Sequence, residues 1–186
     1  ISCGNRIQRT NFRAIRDHIL VETQRDTDIM TGALSRIAFV HDMAIMSDDG
    51  ISVGIVYCDV NCLKQTNDMF GHEAGDRLIR KAYQLMIRYF NGPMNKIYRI
   101  GGDEFVIISI GCDKDELFER FTDMSEKDED ALTISCGCVW LRRIKDTDSA
   151  IREAEDKMYQ NKNYFYETHP DKDRRMNWQW QSCGAD

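Results

Sequence analysis

Proline occurs only twice in this chain of 186 residues, and there is neither a low-complexity linker nor an internal repeat. With no Pro-rich or Gly/Ser-rich spacer, the chain reads as one domain with short extensions. Long hydrophobic runs are also missing. Nothing approaches the roughly 18 apolar residues of a membrane span, and the N-terminus has no signal-peptide core. The chain is therefore expected to be soluble and to make no membrane contact of its own, although starting at Ile1 it suits a piece of a longer, even membrane-attached, protein. Positive charge is scarce too: a formal net charge of −6 argues against the basic face that holds a nucleic acid polymer. A nucleotide can still bind an acidic protein if metal ions carry the positive charge. No G-x-x-x-x-G-K-[ST] loop occurs, which argues against a P-loop NTPase. The seven cysteines form no C-x-x-C pair, and several stand in apolar segments as small core residues. A reducing, cytoplasmic setting is expected.

What is present reads as alternating helices and strands. Residues 5–22 carry Ile7, Phe12, Ile15, Ile19 and Leu20 as one helical stripe. Leu34, Ile37, Ala38 and Val40 resume a helical spacing to about Met46. Ser47-Asp48-Asp49-Gly50 stops it. Residues 51–58 are β-branched and apolar on both faces, the pattern of a central buried strand, and they run into Asp59. A polar loop is expected over 65–71. From Gly75 a helix shows Leu78, Ile79, Ala82, Leu85, Met86 and Phe90 at steps of three and four, ended by Gly92-Pro93. Then come a helix around 115–124, an acidic loop over 125–130, a strand over 132–141 and a last helix over 149–162. The order predicts an α+β fold around one mostly antiparallel sheet.

One segment carries most of the chemistry. In Arg99-Ile100-Gly101-Gly102-Asp103-Glu104-Phe105 a Gly-Gly bend is followed at once by two acids, between flanks (96–100 and 105–110) rich in isoleucine, valine and aromatics. This is a β-hairpin signal. Glycines there permit positive φ and let an anion approach bare backbone. Two carboxylates at one bend are costly unless a cation lies between them, so the tip reads as a holder of metal-bound phosphate.

Four motifs in order resemble the GGDEF family, the diguanylate cyclases. Asp28-Ile29-Met30-Thr31-Gly32-Ala33-Leu34-Ser35-Arg36 resembles its D-x-L-T-G-L-x-N-R opening. Asp59-Val60-Asn61-Cys62-Leu63-Lys64-Gln65-Thr66-Asn67-Asp68 resembles D-x-D/N-x-F/L-K-x-x-N-D. Gly71-His72-Glu73-Ala74-Gly75-Asp76 is similar to G-H-x-x-G-D, and Gly101–Phe105 is the signature itself. The resemblance spans about 28–162. It implies a five-stranded, mostly antiparallel central sheet flanked by helices, like that of nucleotidyl cyclases and polymerase palms. It also implies two GTP as substrate and cyclic di-GMP as product. The expected organisation is a connector helix over 1–26, a catalytic domain over 27–168 and a C-terminal tail over 169–186.

By this resemblance Asp59, Asp103, Glu104 and the carbonyl of Val60 hold Mg2+ or Mn2+, hard cations suited to oxygen ligands. Glu104 is either a further ligand or helps deprotonate the attacking hydroxyl. Lys64 is expected to reach the β- and γ-phosphates, Gly101 and Gly102 to bring backbone to the nucleotide, and Lys162 to match a degenerate lysine segment of the last helix. Asn67 and Asp76 match the base-reading pair: a carboxylate accepts together from guanine N1–H and the 2-amino group, which adenine does not offer. A carboxylate at Asp76 would equally suit the first turn of a helix starting at Gly75. His72, in a Gly-rich bend without a metal-spaced partner, reads as structural. Catalysis would require two such domains face to face in a homodimer; the 5–22 helix would either connect to an upstream sensor domain or pack on its own domain. A catalytically weak GTP-binding sensor or interaction module of the same fold is the competing reading.

Three departures stand out. The family's R-x-x-D product site falls on Gly92 and Asn95, which cannot form an arginine clamp on guanine and phosphate. After Lys162, Phe165-Tyr166-Glu167 replace a Gly-Arg-Asn element that carries a phosphate-contacting arginine. Asn61 stands for a common second aspartate.

Overall fold

The computed structural model describes residues 26–46, 50–143 and 147–170. The connector helix expected over 5–22 and the aromatic tail Trp178-Gln179-Trp180 lie outside the described residues. The described elements run β1 (Leu34–Ser35), α1 (Arg36–Ile45), β2 (Val53–Val60), α2 (Leu63–Phe70), α3 (His72–Tyr89), β3 (Asn95–Arg99), β4 (Glu104–Ile110), α4 (Lys114–Thr122), β5 (Ile134–Leu141) and α5 (Thr147–Thr168). The five strands form one sheet in the order β1-β3-β4-β2-β5. Only the β1–β3 pair is parallel. The expected α+β, mostly antiparallel sheet is what forms.

All eight residues of β2 are buried. The period of two sends Val56, Cys58 and Val60 into one core, with Ile79, Ala82, Leu85 and Met86 of α3 and Leu117 of α4. Val53, Ile55 and Tyr57 enter a second core with Ala38 of α1 and Ala150, Ala154 and Met158 of α5. Gly137 in β5 lets α5 lie directly on the sheet, because a Cβ there would collide with the backbone at Ala154 and Met158. The described cysteines are all free, and Cys58 and Cys136, partners across β2 and β5, touch through their sulfurs at 3.4 Å. Among the described residues no helix is long and apolar enough to cross a membrane.

Several elements differ from the sequence reading. Residues 65–71, expected as a polar loop, are mostly helix α2. Their polarity hid it: α2 buries no residue fully and is held by its packing against α3. Helix α3 begins at His72, not Gly75, so Asp76 is in its second turn and the helix-start explanation for that carboxylate falls away. Leu34 and Ser35 pair with Tyr98 and Arg99 before α1 starts, and Ser35 caps α1 by accepting from the Ala38 N–H. The acidic loop expected from Ser125 begins as a π-helical turn, Asp123–Lys127, continuing α4. Helix α5 runs on to Thr168 because buried Phe165 gives its last turns a core contact.

Candidate functional site

The site forms where β2 ends. Asp59 stands in register with Glu104 of β4 on one side and Ser135 of β5 on the other. One residue on, the Val60 N–H donates to the Asp103 carbonyl at 2.9 Å, fastening the hairpin turn to β2. Three segments far apart along the chain thus meet through sheet hydrogen bonding. The turn is tight: the N–H groups of Ile100 and Gly101 both donate to the Glu104 carbonyl, at 3.0 and 3.3 Å. Neither Gly101 nor Gly102 adopts the positive φ expected of the bend. At Gly101 the Glu104 carboxylate takes the room of a side chain instead: a Cβ there would collide with Oε2 and the carboxylate would have to move.

Asp59 is 5% exposed. Lys162 of α5 reaches it, Nζ to Oδ1 at 2.7 Å. The contact is one of charge, because Oδ1 has no donor at a hydrogen-bonding angle. Burial pushes the Asp59 pKa up to about 6; Lys162 opposes the rise, and the charges of Asp103 and Glu104 add to it. On the lysine, burial pulls downward but Asp59 outweighs it, so Lys162 is held above its ordinary value. The pair therefore compensates the more accessible lysine better than the deeply buried aspartate. Tyr57, two residues before Asp59 on the same face, donates its hydroxyl to Glu104 Oε1 at 3.1 Å. Burial first, then the charge of Glu104, raises that phenol far above its usual range and keeps it a donor.

The hairpin is braced from behind. Arg99 donates to both oxygens of Asp28 (3.1 and 3.3 Å) and to the Gly102 carbonyl (2.7 Å). Burial pushes the Asp28 carboxyl upward, but bonds from Thr31 and Arg99 prevail and hold it below the usual carboxylate range. Neither Tyr57 nor Arg99 was singled out from the sequence. The period-two spacing of Tyr57 from Asp59 was the available signal for the first.

Of the remaining expected residues, Lys64 is exposed on the first turn of α2. Asn67 of α2 lies against Gly75 of α3, the neighbour of Asp76, so closely that a Cβ on Gly75 would overlap its Oδ1. That oxygen is buried without a hydrogen-bond donor. Asn61 is buried and accepts from Ser135 Oγ at 2.8 Å, where an aspartate would add a second buried charge beside Asp59. Tyr166 packs edge-on against Phe165 at the place of the missing arginine. At the product-site positions, Asn95 spends its amide on the Asn91 carbonyl and on Ser109, both at 2.7 Å.

Asp59, Glu104, Arg152, Glu155, Tyr159 and Lys162 line a cleft of about 480 Å³ between the sheet and α5. Among the described residues no three His, Cys, Asp or Glu side chains stand together at metal-holding geometry. The oxygen donors nonetheless suit a hard cation, and the deeply buried, badly angled Asp59 Oδ1 is the atom a cation would satisfy once Lys162 Nζ withdraws.

Residues 25–165 match the family model described as "Diguanylate cyclase, GGDEF domain". The chain is 26% identical to diguanylate cyclase DosC of Shigella sonnei over 147 residues, covering 71% of this chain and 32% of that protein. It is 33% identical over 97 residues to the cyclic di-GMP phosphodiesterase PdeB of Shewanella oneidensis, covering 52% of this chain and 11% of that one. The coiled coil and GGDEF domain of DgcB from Caulobacter crescentus, solved with c-di-GMP, superposes with a TM-score of 0.73 at 21% identity, covering 88% of this chain and 95% of that one. The chain spans about a third of the length of the first curated relatives it matches. A family model matching most of the chain, on a sheet whose signature turn is pinned to the buried aspartate, makes this chain a member of the GGDEF family of diguanylate cyclase domains.

Proposed function

We propose that this domain condenses two GTP into cyclic di-GMP with release of two pyrophosphates, in a metal-dependent reaction within a homodimer. The observation that carries this reading is the juxtaposition of Asp59 with Glu104 and of Val60 with Asp103 at one end of the sheet. A Mg2+ or Mn2+ held by Asp59, Asp103, Glu104 and the Val60 carbonyl would acidify the attacking 3′-hydroxyl and offset charge on the leaving pyrophosphate. The residues of the chain do the rest. Gly101 and Gly102 present a low, backbone-lined tip to the phosphates, and Lys64 meets the β- and γ-phosphates as a point charge. Lys162 transfers from Asp59 to the triphosphate. Asn67 and Asp76 read guanine, Asp76 accepting from its N1–H and 2-amino group. The 3′-oxygen of each GTP bonds to the α-phosphorus of the other, the bond to pyrophosphate breaks, and the hydroxyl proton passes to Glu104 or water. Each domain supplies one half-site, so a second copy must face the first. An upstream sensor that sets this pairing, and a cytoplasmic setting, complete the proposal.

A second reading is favoured by the Lys162–Asp59 pair and by Tyr166 in place of an arginine. In it, the domain binds GTP but turns over poorly and serves as a sensor or as an activator of a partner. Incubation of the protein with GTP or ATP and with Mg2+ or Mn2+, followed by chromatography of the products, separates the two. Cyclic di-GMP formed from GTP alone and abolished by Asp103→Ala supports the cyclase. GTP binding without product at high protein concentration supports the sensor.

A further inference from the structure

Tyr57 lies outside every motif that ties this chain to its family, yet it touches the acid at the hairpin tip. Its ring is 5% exposed and fixed in a strand with no exposed residue. In register Tyr57 faces Val106 while Glu104 faces Asp59, so the 3.1 Å hydrogen bond to Glu104 Oε1 runs diagonally across the β2–β4 pair. Diagonal neighbours on one sheet face are within reach of an aromatic side chain. The other oxygen, Oε2, rests over the bare Cα of Gly101. Glu104 is thus tethered through Oε1, with Oε2 lying over open backbone, in register with a second carboxylate.

We propose that Tyr57 is a positioning residue: its hydroxyl fixes the Glu104 carboxylate in the orientation in which Glu104 and Asp59 share a divalent cation. The inference rests on reading the site as a metal-dependent GTP site. Two like charges in register repel, and a glutamate has three rotatable bonds with which to turn away. A buried hydroxyl donating to one oxygen removes that freedom before any cation arrives. It leaves the remaining lone pairs available. Hydrogen-bonded partners behind a metal-holding carboxylate orient it, and their loss typically costs about 10- to 100-fold in metal affinity or activity.

The test uses Tyr57→Phe, which keeps the ring and its packing, together with Glu104→Gln and the double variant. Mn2+ binding in the presence of non-hydrolysable α,β-methylene-GTP is read by electron paramagnetic resonance, alongside kcat and KM for GTP and the melting temperature. Tyr57→Phe should weaken Mn2+ binding about tenfold and lower kcat by a similar factor. KM for GTP should stay within about twofold and the melting temperature within about 2 °C. In the double variant the loss should be no greater than in Glu104→Gln alone, because the hydroxyl acts only through that carboxylate. Unchanged Mn2+ affinity in Tyr57→Phe, whether or not it melts lower, overturns the inference, as do losses that multiply in the double variant. An unaltered domain that binds Mn2+ and the analogue but forms no cyclic di-GMP sinks the cyclase reading alone, and the Mn2+ comparison still decides the role of Tyr57. An unaltered domain that binds no Mn2+ sinks both.

Discussion

Replacing Asp59 by asparagine should make the domain more stable at neutral pH while abolishing its activity. The carboxylate is 7% exposed, its attraction to Lys162 fails to compensate its burial, and its pKa rises from 3.8 to about 6. That rise corresponds to about 3 kcal/mol of unfavourable interaction for the charged form at pH 7. That figure is already net of the attraction to Lys162, which works against the rise. A gain of about 3 kcal/mol follows, or about 6–12 °C in melting temperature for a domain of this size. The sign with pH is fixed by linkage. Between 3.8 and about 6 the folded state binds more protons than the unfolded chain, so the unaltered protein loses stability as pH rises through that window. Asparagine does not titrate there. Thermal melts in EDTA at pH 4, 5, 6 and 7.5 should therefore show no advantage for Asp59→Asn at the acid end and the full advantage at pH 7.5. Saturating Mn2+ should raise the melting temperature of the unaltered protein and leave Asp59→Asn where it was. An advantage independent of pH, or a variant that melts lower at pH 7.5, would refute the argument that this aspartate is an uncompensated buried charge.

Three further outcomes are expected. Gly75→Ala should drive a Cβ into Asn67 and separate α2 from α3, costing about 1–3 kcal/mol in a denaturant titration together with most GTP affinity by calorimetry; a variant that binds GTP normally would show that Asn67 has no part in the base pocket. Gly101→Ala should push the Glu104 carboxylate off its seat and cut cyclic di-GMP formation about tenfold or more, with a melting temperature within about 2 °C of the parent. Added cyclic di-GMP should leave progress curves unchanged through the Gly92–Asn95 region, where one position has no side chain and the other has committed its amide; feedback that disappears in Asn95→Ala would contradict this.

The buried run of β2 and the Gly-Gly bend were legible because a strand hydrophobic on both faces and a hairpin are local patterns. Helix α2 was not, since it has almost no apolar face and exists through its neighbour α3. The role of Gly101 was misread for a similar reason. Sequence suggests a backbone conformation, whereas the room of a side chain there is taken by a carboxylate three residues on that folds back over it. The sequence marks Lys162 only as the match to a lysine segment of the last helix, and its pairing with Asp59 follows from Gly137, which lets α5 press against the sheet.

The order and types of the acidic, basic and glycine-rich motifs are properties of the chain read in one dimension, and with them come the family and the α+β class. Which of those residues meet is a matter of register. The pairing that puts Asp59 opposite Glu104 and the bond from Val60 to Asp103 arise only when strands distant in sequence hydrogen-bond edge to edge. The burial that raises Asp59, the lysine that answers it and the tyrosine that holds Glu104 come from the packed layers around that sheet, because desolvation depends on everything that surrounds a group and not on its neighbours along the chain.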